Sequence, residues 1–241
     1  MRLLVTGAQG FIGRHVVRLL ELGGHEAMSF AGDVRHPAGD SATSFEAVIH
    51  LASLISHRGA HSRAELRAVN IEGTRQMLAR HSSAHFVYAS TTDVERESLS
   101  EYAQSKLEAE HLVVQHPSHC IVRLPSVFGP GQRQESKLIP RLLCHYLFGE
   151  PVSLVTNEAR PYLYVEAAAV AICSGLRQRG LVSVPGMIIH NRELENLVAI
   201  AVRGDTAENV PIAHQQMLLQ LRECADALRR SQTPHRIQPG P

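Results

Sequence analysis

The sequence has few features that would mark a specialised partner. Its formal net charge is +1, from 24 lysine and arginine residues against 23 aspartate and glutamate residues. It therefore lacks the charge surplus that nucleic-acid and membrane-surface proteins carry. No apolar run approaches the length of a membrane span, and no internal repeat is evident. We expect a globular protein of the usual composition, with no nucleic-acid or membrane partner.

Cysteine and metal-ligand patterns are also sparse. The four cysteines form no C-x-x-C pair and lie in apolar or helical contexts, which predicts free thiols in a reducing compartment. The apolar run after Met1 ends at Gly7 and predicts no signal peptide, so we expect a cytoplasmic protein. His57 and His61 stand four apart with no acidic residue to complete a metal set, and we predict no metal site.

Strand and helix patterns alternate along the first half of the chain. Short apolar runs indicate buried parallel strands, and apolar residues at helical spacing indicate the helices between them. This order predicts an α/β fold with a doubly wound, mostly parallel Rossmann sheet. Only "AGDVRHPAGDSATS" separates the second strand from the third. That is too short for a full crossover, so we expect one helix to be missing and the sheet to be trimmed there. Ser100 and an asparagine, Asn191, are the predicted caps of two later helices.

A glycine-rich turn follows the first strand. The stretch "VTGAQGFIGRHVV" places Gly7, Gly10 and Gly13 between a strand and a helix. In that context the glycines permit a tight turn, close approach of the backbone to a diphosphate, and close helix packing. The alternative is a glycine-rich turn without a ligand. The predicted cofactor contacts in this turn are Gly7, Gln9, Gly10, Phe11, Ile12 and Gly13.

The end of the second strand is where a dinucleotide site selects its cofactor. A carboxylate there binds the adenosine ribose, and a nearby arginine accepts a 2′-phosphate. The usual position holds Ala31, while Asp33 and Arg35 lie just beyond it. Both are predicted cofactor contacts, and NAD or NADP remains open.

The stretch "EYAQSK" contains a tyrosine and a lysine four residues apart, Tyr102 and Lys106. On a helix this spacing puts both side chains on one face. A nearby ammonium stabilises a phenolate and lowers the pKa of the phenol. The pattern alone is also that of an ordinary surface helix.

Several motifs occur together and in one order. They are "TGAQGFIG", "VIHLAS", "VNIEGT", "YASTT", "EYAQSK", "RLPSVFGPGQ" and "RPYLYVE". In this combination the chain resembles an extended short-chain dehydrogenase/reductase of the NAD-dependent epimerase/dehydratase (nucleotide-sugar) family, over residues 2 to 200.

The resemblance implies NAD or NADP as cofactor and a role for each motif. It makes Tyr102 the acid/base and Lys106 the residue that tunes it, and it makes Thr91 the hydroxyl that orients the substrate, with Ser90 second. The further cofactor contacts that it implies are Leu51, Ala52 and Pro125. The further substrate contacts are Ser126 and Arg160. It also matches Asn70 to an asparagine that orders the active-site backbone.

Some positions depart from the family pattern. Ser126 stands where asparagine is usual, and Pro161 follows Arg160 in place of an acidic residue. Thr92 and Asp93 stand where sugar 4,6-dehydratases carry an acidic pair, which argues against that reaction. These departures affect the expected substrate more than the hydride chemistry.

The expected domains are a cofactor-binding core over residues 1–131, with a strand and helix returning from 150–180, a substrate-binding portion over 132–230, and a disordered tail over 231–241. The predicted function is hydride transfer at C4 of a nucleotide-linked sugar, in a homodimer. The alternatives are reduction of a non-sugar ketone or aldehyde, and a non-catalytic NAD(P)-binding sensor or scaffold.

Overall fold

The computed structural model describes residues 1–37, 44–55, 61–132, 137–152, 157–208 and 210–232. The chain divides into two compact units. The first contains Met1–Val127 and Pro161–Met187, and the second contains Phe128–Arg160 and Ile188–Pro241. The strands in the described ranges are β1 (Arg2–Thr6), β2 (Glu26–Ser29), β3 (Ala47–His50), β4 (His85–Thr91), β5 (His119–Leu124), β6 (Ser126–Phe128), β7 (Ala159–Tyr164), β8 (Gly180–Ser183) and β9 (Met187–His190). The α-helices there are α1 (Phe11–Leu22), α2 (Arg63–Leu66), α3 (Thr74–Arg80), α4 (Glu101–Val114), α5 (Leu138–Phe148), α6 (Val165–Ser174), α7 (Asn191–Arg203) and α8 (Ile212–Gln232).

The first unit is built on a six-stranded sheet with the order β2-β1-β3-β4-β5-β8. All of its strand pairs are parallel. Helices cover both faces, so the predicted Rossmann-like α/β fold is confirmed. The order reverses at β1, because β2 lies on one side of β1 and β3 on the other. In open α/β sheets this reversal creates a crevice at the carboxyl ends of the strands, where ligands bind.

The short connection after β2 has the predicted effect on the sheet. The usual doubly wound order places a third strand outside the second, whereas here β2 is the edge strand. The described residues between β2 and β3 contain turns but no helix or strand. In the described sheet, β2 therefore lies on one side of β1 and the next strand, β3, lies on the other.

The two faces of the sheet carry different side chains because residues alternate along each strand. One face packs against α1 and α6 in an apolar cluster. Its fully buried members include Leu3, Val5, Ile49, Val87, Val122 and Ile172. The other face packs against α3 and α4. Its cluster includes Leu4, Val48, Met77, Phe86, Tyr88, Ala109, Val113 and Ile121.

A π-helical segment, Arg67–Gly73, joins α2 to α3. Such segments have i→i+5 hydrogen bonds and occur frequently at functional sites. Helix α4 begins after Ser100, whose side chain accepts a hydrogen bond from the Ala103 N–H at 3.2 Å. The predicted cap at Ser100 is confirmed.

The second unit contains α5, α7 and α8. Helix α7 begins at Asn191 with His190 in the N-cap position, so the predicted asparagine cap is wrong by one residue. The strand that the sequence predicts near residue 150 falls partly on residues 153–156, which lie outside the described residues. A further three-stranded sheet has the order β6-β7-β9. Strands β8 and β9 are short, and the sequence did not predict them.

Other expectations concern isolated side chains. All four cysteines are free, and Cys120, Cys144 and Cys224 are buried. Across the described ranges, no three His, Cys, Asp or Glu side chains converge as metal ligands; His57 lies outside these ranges. Among the described helices, none combines the length and hydropathy that a bilayer-spanning segment requires. The predicted disordered tail falls mainly on residues 233–241, which are also outside the described residues.

Candidate active site

The glycine turn lies between β1 and α1. Gly7 has a φ of +66°, and a Cβ atom there would lie 2.8 Å from the Ala52 nitrogen. A Cβ atom on Gly13 would lie 2.1 Å from the Gly7 carbonyl oxygen. The turn therefore has no room for a side chain at either position. Gly10 is the N-cap of α1, and its N–H donates to the Gly7 carbonyl at 2.9 Å.

This turn fits the diphosphate of a dinucleotide. Helix α1 has no side-chain cap, so N–H groups of its first turn remain available to an anion, as does the positive end of the helix dipole. Gln9 and Gly10 are exposed, whereas Phe11 and Ile12 are half-buried. The close approach of β3 to the turn would place Leu51 and Ala52 beside the same ligand.

Thr6 and His50 tie the glycine turn to the end of β3. The N–H groups of Leu51 and Ala52 both donate to Thr6 Oγ1 at 3.1 Å. His50 is fully buried, with Nδ1 2.8 Å from Thr6 Oγ1 and Nε2 3.1 Å from Thr74 Oγ1. Burial lowers the pKa of His50 to about 3, and the Lys106 charge acts in the same direction. His50 is therefore neutral.

Asn70, in the π-helical segment, connects this region to α4. Its Oδ1 accepts hydrogen bonds from the Leu54 N–H at 2.8 Å and from Ser53 Oγ at 3.0 Å. Its Nδ2 donates to the Leu54 carbonyl and to Ser105 Oγ, each at 2.9 Å. Ser105 in turn donates to the Tyr102 carbonyl at 2.7 Å. These contacts match the backbone-ordering role that the resemblance implies for Asn70.

Tyr102 has a higher pKa than the sequence predicts. Burial raises the pKa of its phenol to about 12, the Asp93 carboxylate acts in the same direction, and a hydrogen bond with the Ser53 side chain opposes them. The expected lowering by Lys106 is therefore not found in this structure. Tyr102 is a neutral phenol at neutral pH. Ser53 was not predicted, although it directly follows "HLA" at the end of β3.

Lys106 is buried, and its amine lies over an aromatic ring. The Nζ atom is 4.1 Å from the centroid of the Tyr88 ring, which is within the range of a cation–π interaction. Burial lowers the pKa of Lys106 to about 7, and the nearby Glu110 raises it. The His50 ring stacks on the Tyr88 ring at 5.9 Å.

Glu110 lies one helical turn after Lys106 and is also buried. Arg123 on β5 holds its carboxylate with Nη2 at 2.6 Å and Nε at 3.0 Å. The same guanidinium contacts Glu95 at 3.1 Å. Neither Glu110 nor Arg123 was predicted, because no local pattern distinguishes them from a helix-surface acid and a strand arginine.

Thr91 and Ser90 occupy different environments at the end of β4. Thr91 Oγ1 caps a short 3₁₀ turn by accepting the Asp93 N–H at 3.2 Å. A hydroxyl that accepts in this way can still donate its own proton. Ser90 is on the strand face that it shares with Tyr88. Its Oγ is buried with no hydrogen-bond partner among the described residues.

The remaining predicted contacts fall into two groups. Asp33 and Arg35 are exposed and bind each other through Arg35 Nε at 2.9 Å and Nη2 at 2.5 Å, and these hydrogen bonds lower the pKa of Asp33 to about 2. Pro125 and Ser126 follow β5 in the first unit. Arg160 belongs to the second unit and pairs with Glu158 at 2.9 Å.

The doubly wound sheet and glycine turn define a dinucleotide-binding α/β protein, and a sequence comparison supplies the family. The model of the NAD dependent epimerase/dehydratase family matches residues 3–183. The chain belongs to this family, as the motifs predicted. The dependence on NAD in the family's description agrees with the predicted cofactor.

Individual relatives carry different activities. The chain is 34% identical over 153 residues to a ceramide reductase of Caulobacter vibrioides, covering 54% of this chain and 47% of the relative. It is 31% identical over 262 residues to a dTDP-glucose 4,6-dehydratase of Streptomyces griseus, covering 84% of this chain and 79% of the relative. The match thus spans about half of the first relative's length and most of the second's.

A solved structure shares the fold. The UDP-glucose 4-epimerase of Thermus thermophilus, in complex with NAD, has a TM-score of 0.75 and 22% identity, covering 95% of this chain and 99% of that chain.

Proposed function

We propose that this chain is an NAD(P)-dependent oxidoreductase or epimerase that acts on a nucleotide-linked sugar, with hydride transfer at sugar C4 and Tyr102 as the acid/base. One observation carries most of the support. The Tyr102 carbonyl accepts a hydrogen bond from Ser105, and Asn70 ties Ser105 to the backbone just beyond the carboxyl end of β3, next to the β1–β3 crevice where the glycine turn lies. The catalytic candidate and the cofactor turn thus belong to one unit and one edge of the sheet.

The glycine turn would hold the diphosphate of the cofactor, and Lys106 would bind its nicotinamide ribose. When bound, the cofactor supplies a hydride donor or acceptor at C4 of its nicotinamide. Asp33 and Arg35 would meet the adenosine end. Because these two side chains bind each other, Arg35 has less freedom to bind a 2′-phosphate than an unpaired arginine, which favours NAD over NADP.

Tyr102 holds its proton at neutral pH because its pKa is raised. It would donate this proton to a substrate keto oxygen as negative charge develops there, and would recover it in the reverse direction. The Thr91 hydroxyl would donate a hydrogen bond to the same oxygen.

The substrate follows from the family rather than from a local feature. In the second unit, the Arg160 guanidinium is 38% exposed and would bind a diphosphate in bidentate geometry. The second unit would serve as the substrate-binding portion.

Dehydration is disfavoured although one relative is a dehydratase, because Thr92 occupies the position of the required acid. Homodimerisation stays a prediction.

A second candidate is reduction of a non-sugar ketone or aldehyde. The similarity to a ceramide reductase favours it, since that name describes no sugar substrate. Both candidates use Tyr102 and Lys106 in the same way and differ only in the substrate.

The test is Tyr102→Phe, with Tyr146→Phe as the control for loss of a phenol outside the candidate site. NADH or NADPH oxidation is followed with a panel of 4-keto sugar nucleotides and non-sugar ketones. We expect Tyr102→Phe to lose about 100- to 10,000-fold in turnover while binding NADH normally, and Tyr146→Phe to retain activity. Turnover at the wild-type level in Tyr102→Phe would contradict the mechanism, and turnover of non-sugar ketones alone would select the second candidate.

A further inference from the structure

The amine of Lys106 lies in a buried environment, where an ammonium group loses its water of hydration. Its side chain is 3% exposed, and the ring beneath it, Tyr88, is fully buried. A lysine that loses water without compensation becomes neutral near physiological pH. A neutral amine would stabilise neither a phenolate nor a developing negative charge. The surroundings of Lys106 therefore decide whether it can act as a cation.

Two groups offer that compensation. The face of the Tyr88 ring lies 4.1 Å from Nζ, and an aromatic face attracts a cation most strongly where water is excluded. Glu110 follows Lys106 by four positions on α4, and both are buried on the side that faces the sheet. The Glu110 carboxylate raises the pKa of Lys106.

Arg123 holds this carboxylate in place. Three contacts join the Arg123 guanidinium to Glu110, at 2.6, 3.0 and 3.3 Å. Arg123 also binds Glu95 at 3.1 Å, so its charge is shared between two carboxylates. Glu110 thus has a fixed orientation although it lies on a helix with an exposed outer face.

The other titratable groups around Lys106 do not supply a competing charge. His50, from β3, is neutral because burial lowers its pKa to about 3. Tyr102, on α4, is a neutral phenol because its pKa is about 12. On the strands and helices that pack here, Glu110 is the group whose charge shifts the pKa of Lys106.

We propose that Tyr88 and Glu110 are positioning residues that hold the Lys106 amine beside the cofactor site and favour its protonated form, with Arg123 orienting Glu110. The inference rests on the proposed function only for the role of Lys106. In this proposal two sequence stretches do more than pack the core. The stretch "FVYAST" supplies the Tyr88 ring, and "KLEAEH" supplies the Glu110 carboxylate.

The chain allows a direct measurement, because Lys106 and Lys137 are its two lysines. Protein grown with isotope-labelled lysine will show two side-chain NMR signals, and Lys137→Arg assigns them. The titration midpoint of Lys106 is then compared among wild type, Glu110→Gln, Tyr88→Leu and Tyr88→Phe. The full chain is used without cofactor or substrate, so a failure of this proposal is separate from a failure of the proposed activity.

We expect the Lys106 midpoint to fall by about one pH unit or more in Glu110→Gln and by about one unit in Tyr88→Leu. Tyr88→Phe keeps the ring and should keep the wild-type midpoint. An unchanged midpoint in Glu110→Gln, or in folded Tyr88→Leu, overturns the role of that residue. If Tyr88→Leu does not fold, Glu110→Gln, which preserves the side-chain shape, decides the proposal.

Discussion

The two faces of the central sheet have the same backbone but different chemistry. The face under α1 and α6 is an apolar cluster that includes Val16, Leu20 and Ile172. The face under α3 and α4 also has an apolar cluster, but buried polar residues lie beside it, among them His50, Asn70, Thr74, Ser105, Lys106 and Glu110.

The polar residues on the second face are connected rather than scattered. Hydrogen bonds lead from Thr6 through His50 and Thr74 to the Asn70 carbonyl. The Asn70 side chain then contacts Ser105, next to the catalytic candidates. Burying polar groups costs free energy unless they are paired. Their concentration on one face therefore indicates that this face serves a function as well as stability. The other face is mainly apolar, although the buried His85 binds the Gly175 carbonyl there at 2.8 Å.

The largest expected effect tests the apolar face. Ile172→Ala should lower the free energy of unfolding by about 2–5 kcal/mol, because it leaves a cavity in a fully buried cluster. Denaturant titration measures this loss. Turnover per folded molecule should remain at the wild-type value, since no polar network is touched. A turnover loss in protein shown to be folded would break the distinction between the faces.

The next effect is a pH dependence specific to the polar face. His50 stays neutral in the folded protein down to about pH 3, whereas an unfolded histidine binds a proton below about pH 6.5. The unfolded state therefore binds more protons in this window. Stability should fall as pH decreases from about 6.5 to about 3, by about 1.4 kcal/mol per pH unit from this residue.

His50→Gln should remove that part of the slope, even though the variant is less stable overall. His111→Gln, an exposed substitution on α4, is the matched control and should keep the wild-type slope. Equal slopes for wild type and His50→Gln between pH 6.5 and pH 3 would show that His50 is not the buried neutral group described here.

The smallest effect concerns a charge pair on the outer side of α4. Arg67 and Glu108 lie 2.6 Å apart, and their side chains are 48% and 29% exposed. Arg67→Ala should cost less than about 1 kcal/mol of unfolding free energy, because exposed pairs are weak. The Lys106 titration should not move. If Arg67→Ala shifted the Lys106 titration midpoint as much as Glu110→Gln does, burial of Glu110 would not explain its effect on Lys106.

Sequence patterns predicted the elements that local chemistry governs. The glycine turn, the α4 cap at Ser100 and the trimmed connection after β2 were all predicted, because each depends on residues close together in the chain. Strand β8 was missed because its sequence has only four residues, which is too short for its pattern to be distinguished from that of a loop. The asparagine at the start of α7 was misplaced by one position, which is within the uncertainty of helix ends.

The site was predicted less completely than the fold. Motif order identified Tyr102, Lys106 and Asn70 as candidates, and the structure provides contacts for each. Glu110 and Tyr88 were not identified, because their importance depends on what they contact across the sheet. Spacing along the helix predicted a lowered pKa for Tyr102 beside Lys106 and a bound nicotinamide, whereas without the cofactor burial and the approach of Asp93 raise this pKa.

The residues themselves determined the family, the parallel sheet and the glycine turn, because each follows from local patterns of apolar residues and glycine. Only the tertiary structure decided the charge states. Ionisation depends on the loss of hydration and on groups that the fold brings together from β3, β4, β5 and α4. Neither factor can be predicted from a single stretch of the chain.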